Sequence, residues 1–87
     1  MNKIWSDKSW DDYLYWQKQD KKTLKKINRL IKEIERDHFN GIGKPEPLKH
    51  ELSGWWSRHI DDTNRIVYRV KENSLEISQC KGHYDDK

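Results

Sequence analysis

The sequence predicts an α+β fold in the order β-α-α-β-β-β-β, with a helical hairpin packed on one face of a small twisted antiparallel sheet. Three observations predict it. Apolar residues recur at helical spacing only before Asn40, short alternating runs broken by turn residues follow Gly43, and no strand-helix-strand rhythm joins the two halves. The 87 residues are expected to form one domain over 1–87, short enough that its stability is modest and a binding partner matters to it.

Residues 3–5 read as a first strand. Ser6 fits an N-cap, and Asp7 sets negative charge at the positive end of a helix over residues 7–19. Trp10, Tyr13 and Leu14 share one face of it. Leu24, Ile27, Leu30, Ile31 and Ile34 form a second stripe in a helix that Asn40-Gly41 must have ended, and the two helices meet near Asp20. Strand runs follow at 48–51, 55–60, 65–71 and 74–81. Asp61-Asp62-Thr63-Asn64 and Glu72-Asn73 turn between the last three, so consecutive strands should pair as antiparallel hairpins. In the run 65–71, Ile66, Tyr68 and Val70 alternate with Arg65, Val67 and Arg69. If the apolar set packs on the helices, both arginines face away, and that open face is the candidate site. His83 shares parity with Leu75 and Ile77, so Gly82 is expected to break the strand and release it from the core.

Only 32% of the chain is hydrophobic, but five Trp and four Tyr supply large buried areas per side chain. The formal charge of +3 is concentrated. Between residues 21 and 36, Lys21, Lys22, Lys25, Lys26, Arg29, Lys32 and Arg36 face only Glu33 and Glu35, which fits a polyanionic partner or a solvated helix face. No apolar stretch approaches a membrane span and no leader precedes Ile4, so a cytoplasmic location is expected. Cys80 stands alone, which excludes an internal disulfide and a cysteine-based zinc site, and His38, His50 and His59 have no metal-ligand spacing. Neither metal nor cofactor is expected.

Four residues carry candidate chemistry: Glu46, Arg65, His83 and Tyr84. Cleaving RNA without a metal requires a base to deprotonate the 2′-hydroxyl, an acid to protonate the departing 5′-oxygen, and a cation on the phosphate between them. A carboxylate ionised at neutral pH suits the first task, an imidazole near its switching point the second, and a guanidinium donating two parallel bonds the third. A tyrosine ring can stack on a base. Each residue has a plainer reading: Glu46 as a solvated loop residue, Arg65 as a surface ion pair with Asp61 or Asp62, and His83-Tyr84 as a frayed tail.

Specific stretches weigh against the plainer readings. Ile4-Trp5-Ser6, Ser9-Trp10-Asp11-Asp12-Tyr13-Leu14-Tyr15-Trp16-Gln17, Gly43-Lys44-Pro45-Glu46-Pro47-Leu48-Lys49-His50, Leu52-Ser53-Gly54-Trp55-Trp56-Ser57-Arg58, Arg65-Ile66-Val67-Tyr68 and His83-Tyr84 together resemble the Txe/YoeB toxins of the RelE superfamily. The likeness runs from about Lys3 to Tyr84. It implies a ribosome-dependent mRNA endoribonuclease, the toxin of a type II toxin–antitoxin pair, that cuts messenger RNA in the ribosomal A site. In that family the residues matching Glu46, Arg65, His83 and Tyr84 are the general base, transition-state arginine, general acid and nucleotide-holding tyrosine. Lys49, Arg58 and His59 fall at substrate-binding positions, and Lys21, Lys22, Lys25, Lys26 and Arg29 are candidates for ribosomal RNA.

The implied partners are the ribosome with its mRNA and a YefM-like antitoxin dimer, through which operator DNA is reached; self-association of the toxin is left open. Two departures stand out. Where many relatives have an arginine after Arg58 this chain has His59, which weakens phosphate binding there, and it continues beyond His83-Tyr84 through Asp85-Asp86-Lys87, whose carboxylates could repel RNA or favour charged His83. The competing class is a non-catalytic RNA-binding or operator-binding module that keeps the fold and its basic surface. Loss of cleavage without loss of binding on mutation of Glu46 and His83 separates the two.

Overall fold

Ser6 ends the first strand and starts the first helix in one step. Its hydroxyl oxygen accepts from the Ser9 amide at 3.0 Å and its O–H reaches the Ser78 carbonyl at 2.9 Å, tying the helix start to the last strand. The computed structural model describes residues 1–84. Strand β1 (Asn2–Trp5) leads into α1 (Asp7–Gln19) and α2 (Lys21–Arg36). Asp20 closes α1 and caps α2, and its carboxylate, held below the usual range chiefly by the Thr23 hydroxyl, accepts from the Lys22 and Thr23 amides.

The remaining strands are β2 (Glu46–Pro47), β3 (Trp56–His59), β4 (Arg65–Lys71) and β5 (Ser74–Gln79), in the sheet order β1-β5-β4-β3-β2. The α+β order is therefore as the sequence predicts. Two details differ. The sheet is mixed, because β1 lies parallel to β5 with Ile4 opposite Glu76. The two helices and the antiparallel β2–β5 meander form a crossover long enough for such a pair. Residues 48–51 are not a strand: pairing occurs at Glu46–Pro47, and His50–Leu52 form a 3₁₀ turn. Leu48 turns into the core, and Pro47, which has no amide hydrogen to donate, is tolerated on an edge strand.

The core lies between α2 and the sheet. Ile27, Leu30 and Ile34 are fully buried against Ile66 and Tyr68 of β4 and Leu75 and Ile77 of β5, each aliphatic side chain contributing about 1.5–3 kcal/mol. In α1 the stripe seen in the sequence is not the buried one: Trp10 and Leu14 are exposed, whereas Ser9, Asp12 and Trp16 are buried. The reason is polar. Ser9 donates to the Ile77 carbonyl at 2.7 Å, the Trp16 indole to the Cys80 carbonyl at 2.9 Å, and the Cys80 amide to the Asp12 carboxylate at 3.0 Å, so α1 binds backbone groups at the end of β5 and just beyond it, where pairing with β1 stops at Ile77.

Candidate active site

The sheet face away from the helices carries the candidate site, and strand register fixes its layout. Alternation on β4 puts Ile66 and Tyr68 into the core and Arg65, Val67 and Arg69 on the open face. Across the strands, Glu46 stands opposite Ser57, Ser57 opposite Val67, and His59 opposite Arg65. Glu46, Ser57, His59 and Arg65, drawn from three strands, thus share one patch.

The C-terminal segment closes that patch. Tyr84 donates to Oε1 of Glu46 at 3.0 Å, and its oxygen lies 3.0 Å from the Ser57 hydroxyl. A phenol has one proton to give, so Ser57 donates to Tyr84 and Tyr84 to Glu46. Gly82, at a φ of 82° that glycine adopts without strain, turns the chain toward this chain of bonds. Its amide donates to the Asn64 side chain at 2.8 Å and its carbonyl accepts from the Arg65 amide at 3.1 Å. The Gln79 side-chain amide donates to the His83 carbonyl at 3.0 Å, leaving the imidazole exposed.

Arg65 is almost fully buried at 9% exposure, yet it forms no ion pair with Asp61 or Asp62 among the described residues. Its Nη1 donates to the Asp61 carbonyl at 2.8 Å and the Asn64 carbonyl at 3.1 Å. The guanidinium is anchored by one nitrogen and, among the described residues, no carboxylate forms a salt bridge with it, which suits a phosphate ligand. His59 is held below the ordinary imidazole range, first by burial and then by the Arg65 and Lys44 cations, with Glu46 and Asp62 opposing. It is a neutral neighbour of Arg65 at pH 7. Lys49 is exposed just after β2.

Arg58 corrects the sequence reading. It is opposite Ile66 and therefore faces the helices, with no exposed surface. Its Nη2 donates to the carbonyls of Asp37 at 2.7 Å and Asn40 at 2.9 Å, Nη1 to Ile42 at 3.1 Å, and Nε to the Tyr68 hydroxyl at 3.2 Å, which in turn donates to His38 at 2.7 Å. This guanidinium clamps the segment that leads from α2 to Glu46 and does not reach the open face. Gly43 completes the clamp: its φ is 84°, and a Cβ there would sit 3.0 Å from Leu30 and 3.1 Å from both the Arg58 side chain and the His59 carbonyl.

On α2, Lys21, Lys22, Lys25 and Arg29 are exposed and Lys26 is half-buried, and none joins a salt bridge among the described residues. Lys22 and Lys26 line a hollow with Ile60 and Asp61, at the turn that anchors Arg65. The tail residues Asp85, Asp86 and Lys87 lie outside the described residues. Sequence reading missed Ser57, Asn64 and Gln79. Ser57 was available from its parity with His59. Gln79 was not, because Tyr68 pairs with Ile77 and Val67 with Gln79, so the extra residue Ser78 inverts the alternation.

A helical hairpin over a five-stranded sheet whose open face gathers Glu46, Ser57, Arg65 and Tyr84 is the architecture of a class of compact bacterial toxins, and the comparisons identify the branch. Residues 5–84 match the model of the YoeB-like toxin of bacterial type II toxin–antitoxin systems, and the chain belongs to that family. It is 60% identical to the toxin YoeB of Escherichia coli K12 over 84 residues, covering 97% of this chain and 100% of that one. Among solved structures, the YoeB/ParE toxin from Agrobacterium tumefaciens superposes with a TM-score of 0.94 at 48% identity, over 97% of this chain and 100% of that one. YoeB in the heterotetrameric YoeB-YefM complex from Staphylococcus aureus gives 0.90 at 47%, over 97% and 98%.

Proposed function

We propose that this chain is a ribosome-dependent mRNA endoribonuclease that inhibits translation from the cytoplasm as the toxin of a type II pair. Glu46 accepts the proton of a 2′-hydroxyl, the freed oxygen attacks the adjacent phosphorus, and His83 protonates the 5′-oxygen as it leaves. Arg65 donates to the phosphate oxygens while charge builds there, and no metal takes part. The products are a 2′,3′-cyclic phosphate and a 5′-hydroxyl. The observation that carries this reading is the Ser57–Tyr84–Glu46 chain of hydrogen bonds, which holds a carboxylate on the same open patch as Arg65.

Partners follow from the relatives. A YefM-like antitoxin, itself the link to operator DNA, fits a small basic toxin whose open face must be covered, and a toxin homodimer has its counterpart in the Staphylococcus aureus YoeB dimer. The ribosome supplies the mRNA, with Lys21, Lys22, Lys25, Lys26 and Arg29 on its RNA and Lys49 beside the substrate. The deciding experiment is single-turnover cleavage of mRNA on programmed ribosomes with analysis of product ends. Glu46→Ala, Arg65→Ala and His83→Gln are each expected to slow it by about 10²–10⁴-fold with little change in ribosome affinity. Products carrying 5′-phosphates, or unchanged rates, would overturn the assignment.

A further inference from the structure

The open face continues past the candidate active site. One residue pair further along the strands, about 7 Å from the row holding Glu46, Ser57 and Val67, lies a second row made of Trp55, Arg69, Glu76 and Ile4. Trp55 precedes Trp56, whose partner is Tyr68, and so turns to the open side beside Arg69. The Arg69 guanidinium lies over the Trp55 ring, 4.4 Å from its centroid. Both Nε and Nη2 of Arg69 donate to the same oxygen of Glu76, Oε1, at 3.2 and 2.9 Å. The guanidinium plane is therefore fixed from below by an indole and from the side by a carboxylate, while its side chain stays 39% exposed.

Two features of this row decide what it binds. Arg69 and Glu76 cancel in charge, so the row has little pull on a phosphate; its half-buried indole, Trp55, is instead a surface on which a base stacks. Next to it, toward β1, a cavity of about 270 Å³ is walled by Ile4, Ser6, Trp55, Glu76 and Ser78. Ile4, 49% exposed, supplies an apolar wall. Among the described residues no donor reaches Oε2 of Glu76, which is left to accept an N–H from the edge of a base.

We propose that Trp55, Arg69 and Glu76 form a nucleobase subsite that takes a purine of the same RNA strand, next to the nucleotides held at Glu46 and Arg65. The purine lies in the cavity beside Ile4 against the Trp55 ring, which Arg69 holds in place, and donates a ring or exocyclic N–H to Glu76. A purine is favoured over a pyrimidine because its second ring covers more of the indole and fills more of the cavity. The subsite rests on the proposed action on RNA, but it is tested without cleavage.

The test is equilibrium binding of fluorescein-labelled 2′-O-methyl RNA hexamers that cannot be cut, one all purine and one all pyrimidine, to the whole chain. Wild type is expected to bind the purine hexamer about ten-fold more tightly. Arg69→Lys keeps the charge beside Glu76 but loses the plane that holds the indole, and Trp55→Leu removes the stacking ring; both should bring the ratio close to one while circular dichroism shows an intact fold. Glu76→Gln should weaken the purine hexamer alone. A wild type without preference, or folded variants that keep the full ratio, would overturn the subsite. Product-end analysis of wild type on ribosomes judges the endonuclease reading separately, so either can fail without the other.

Discussion

Tyr84 donates its hydroxyl proton to Glu46 across 38 residues of sequence, at 3.0 Å, and receives one from Ser57. The segment that carries Tyr84 is thereby part of the site, and the carboxylate proposed as base has one oxygen oriented and, among the described residues, no donor on the other. Tyr84→Phe keeps the ring and removes this relay. A hydrogen bond to a charged group contributes about 1.5–3 kcal/mol, so single-turnover cleavage should fall by roughly 10- to 100-fold with ribosome affinity retained. Tyr84→Ala should be slower again, because the stacking surface goes too. A Phe variant as fast as wild type would remove the relay from the mechanism.

Arg58 is a stability residue in this structure. Replacing it by alanine leaves the carbonyls of Asp37, Asn40 and Ile42 and the Tyr68 hydroxyl short of a donor, and opens a cavity. About 3 kcal/mol should be lost, read as a fall in the urea midpoint at unchanged slope. A loss below about 0.5 kcal/mol, the range of ordinary surface substitutions, would return Arg58 to the surface role its sequence context suggests.

How legible these features are in the sequence follows from which pattern encodes them. Helix α1 and strand β4 fall where capping and alternation predict them, because Ser6, Asp20 and the Ile66-Tyr68 pair act through neighbours close in sequence. The parallel pairing of β1 and the pairing at Glu46–Pro47 are set by tertiary packing, which local pattern does not carry. Arg65 follows from alternation, but Arg58 shows its limit: an arginine on the core face looks basic and exposed in sequence, and only the carbonyls gathered around it explain its burial. The bulge at Ser78 likewise hides Gln79 and places Cys80 in the core, where burial first and then Asp12 push its thiol up to about 12.

His59 should make stability depend on pH. Its folded-state pKa is lowered below 6.5, so as pH falls the unfolded chain takes up this proton before the folded one does. The contribution is present above about pH 6.5 and lost as pH falls through the folded value. Denaturant titrations of wild type and His59→Gln between pH 8 and pH 5 should therefore show the wild type losing more stability than the variant on acidification. Parallel curves would mean that His59 is not desolvated as its packing beside Arg65 indicates.

Gln79 holds the backbone that carries His83, and its role separates from simple folding support. The amide donates to the His83 carbonyl at 3.0 Å and lies within 3.3 and 3.4 Å of those of Lys81 and Gly82. Gln79→Ala removes the clamp from a half-buried position, so global stability should change by less than about 1 kcal/mol. The proposed acid would then be held less well, and cleavage should slow by roughly ten-fold at unchanged ribosome affinity. The decisive measurement is a double-mutant cycle. Once His83 is glutamine there is no acid left to position, and adding Gln79→Ala should cost nothing further in rate. Fully additive losses would show that Gln79 supports the fold rather than His83.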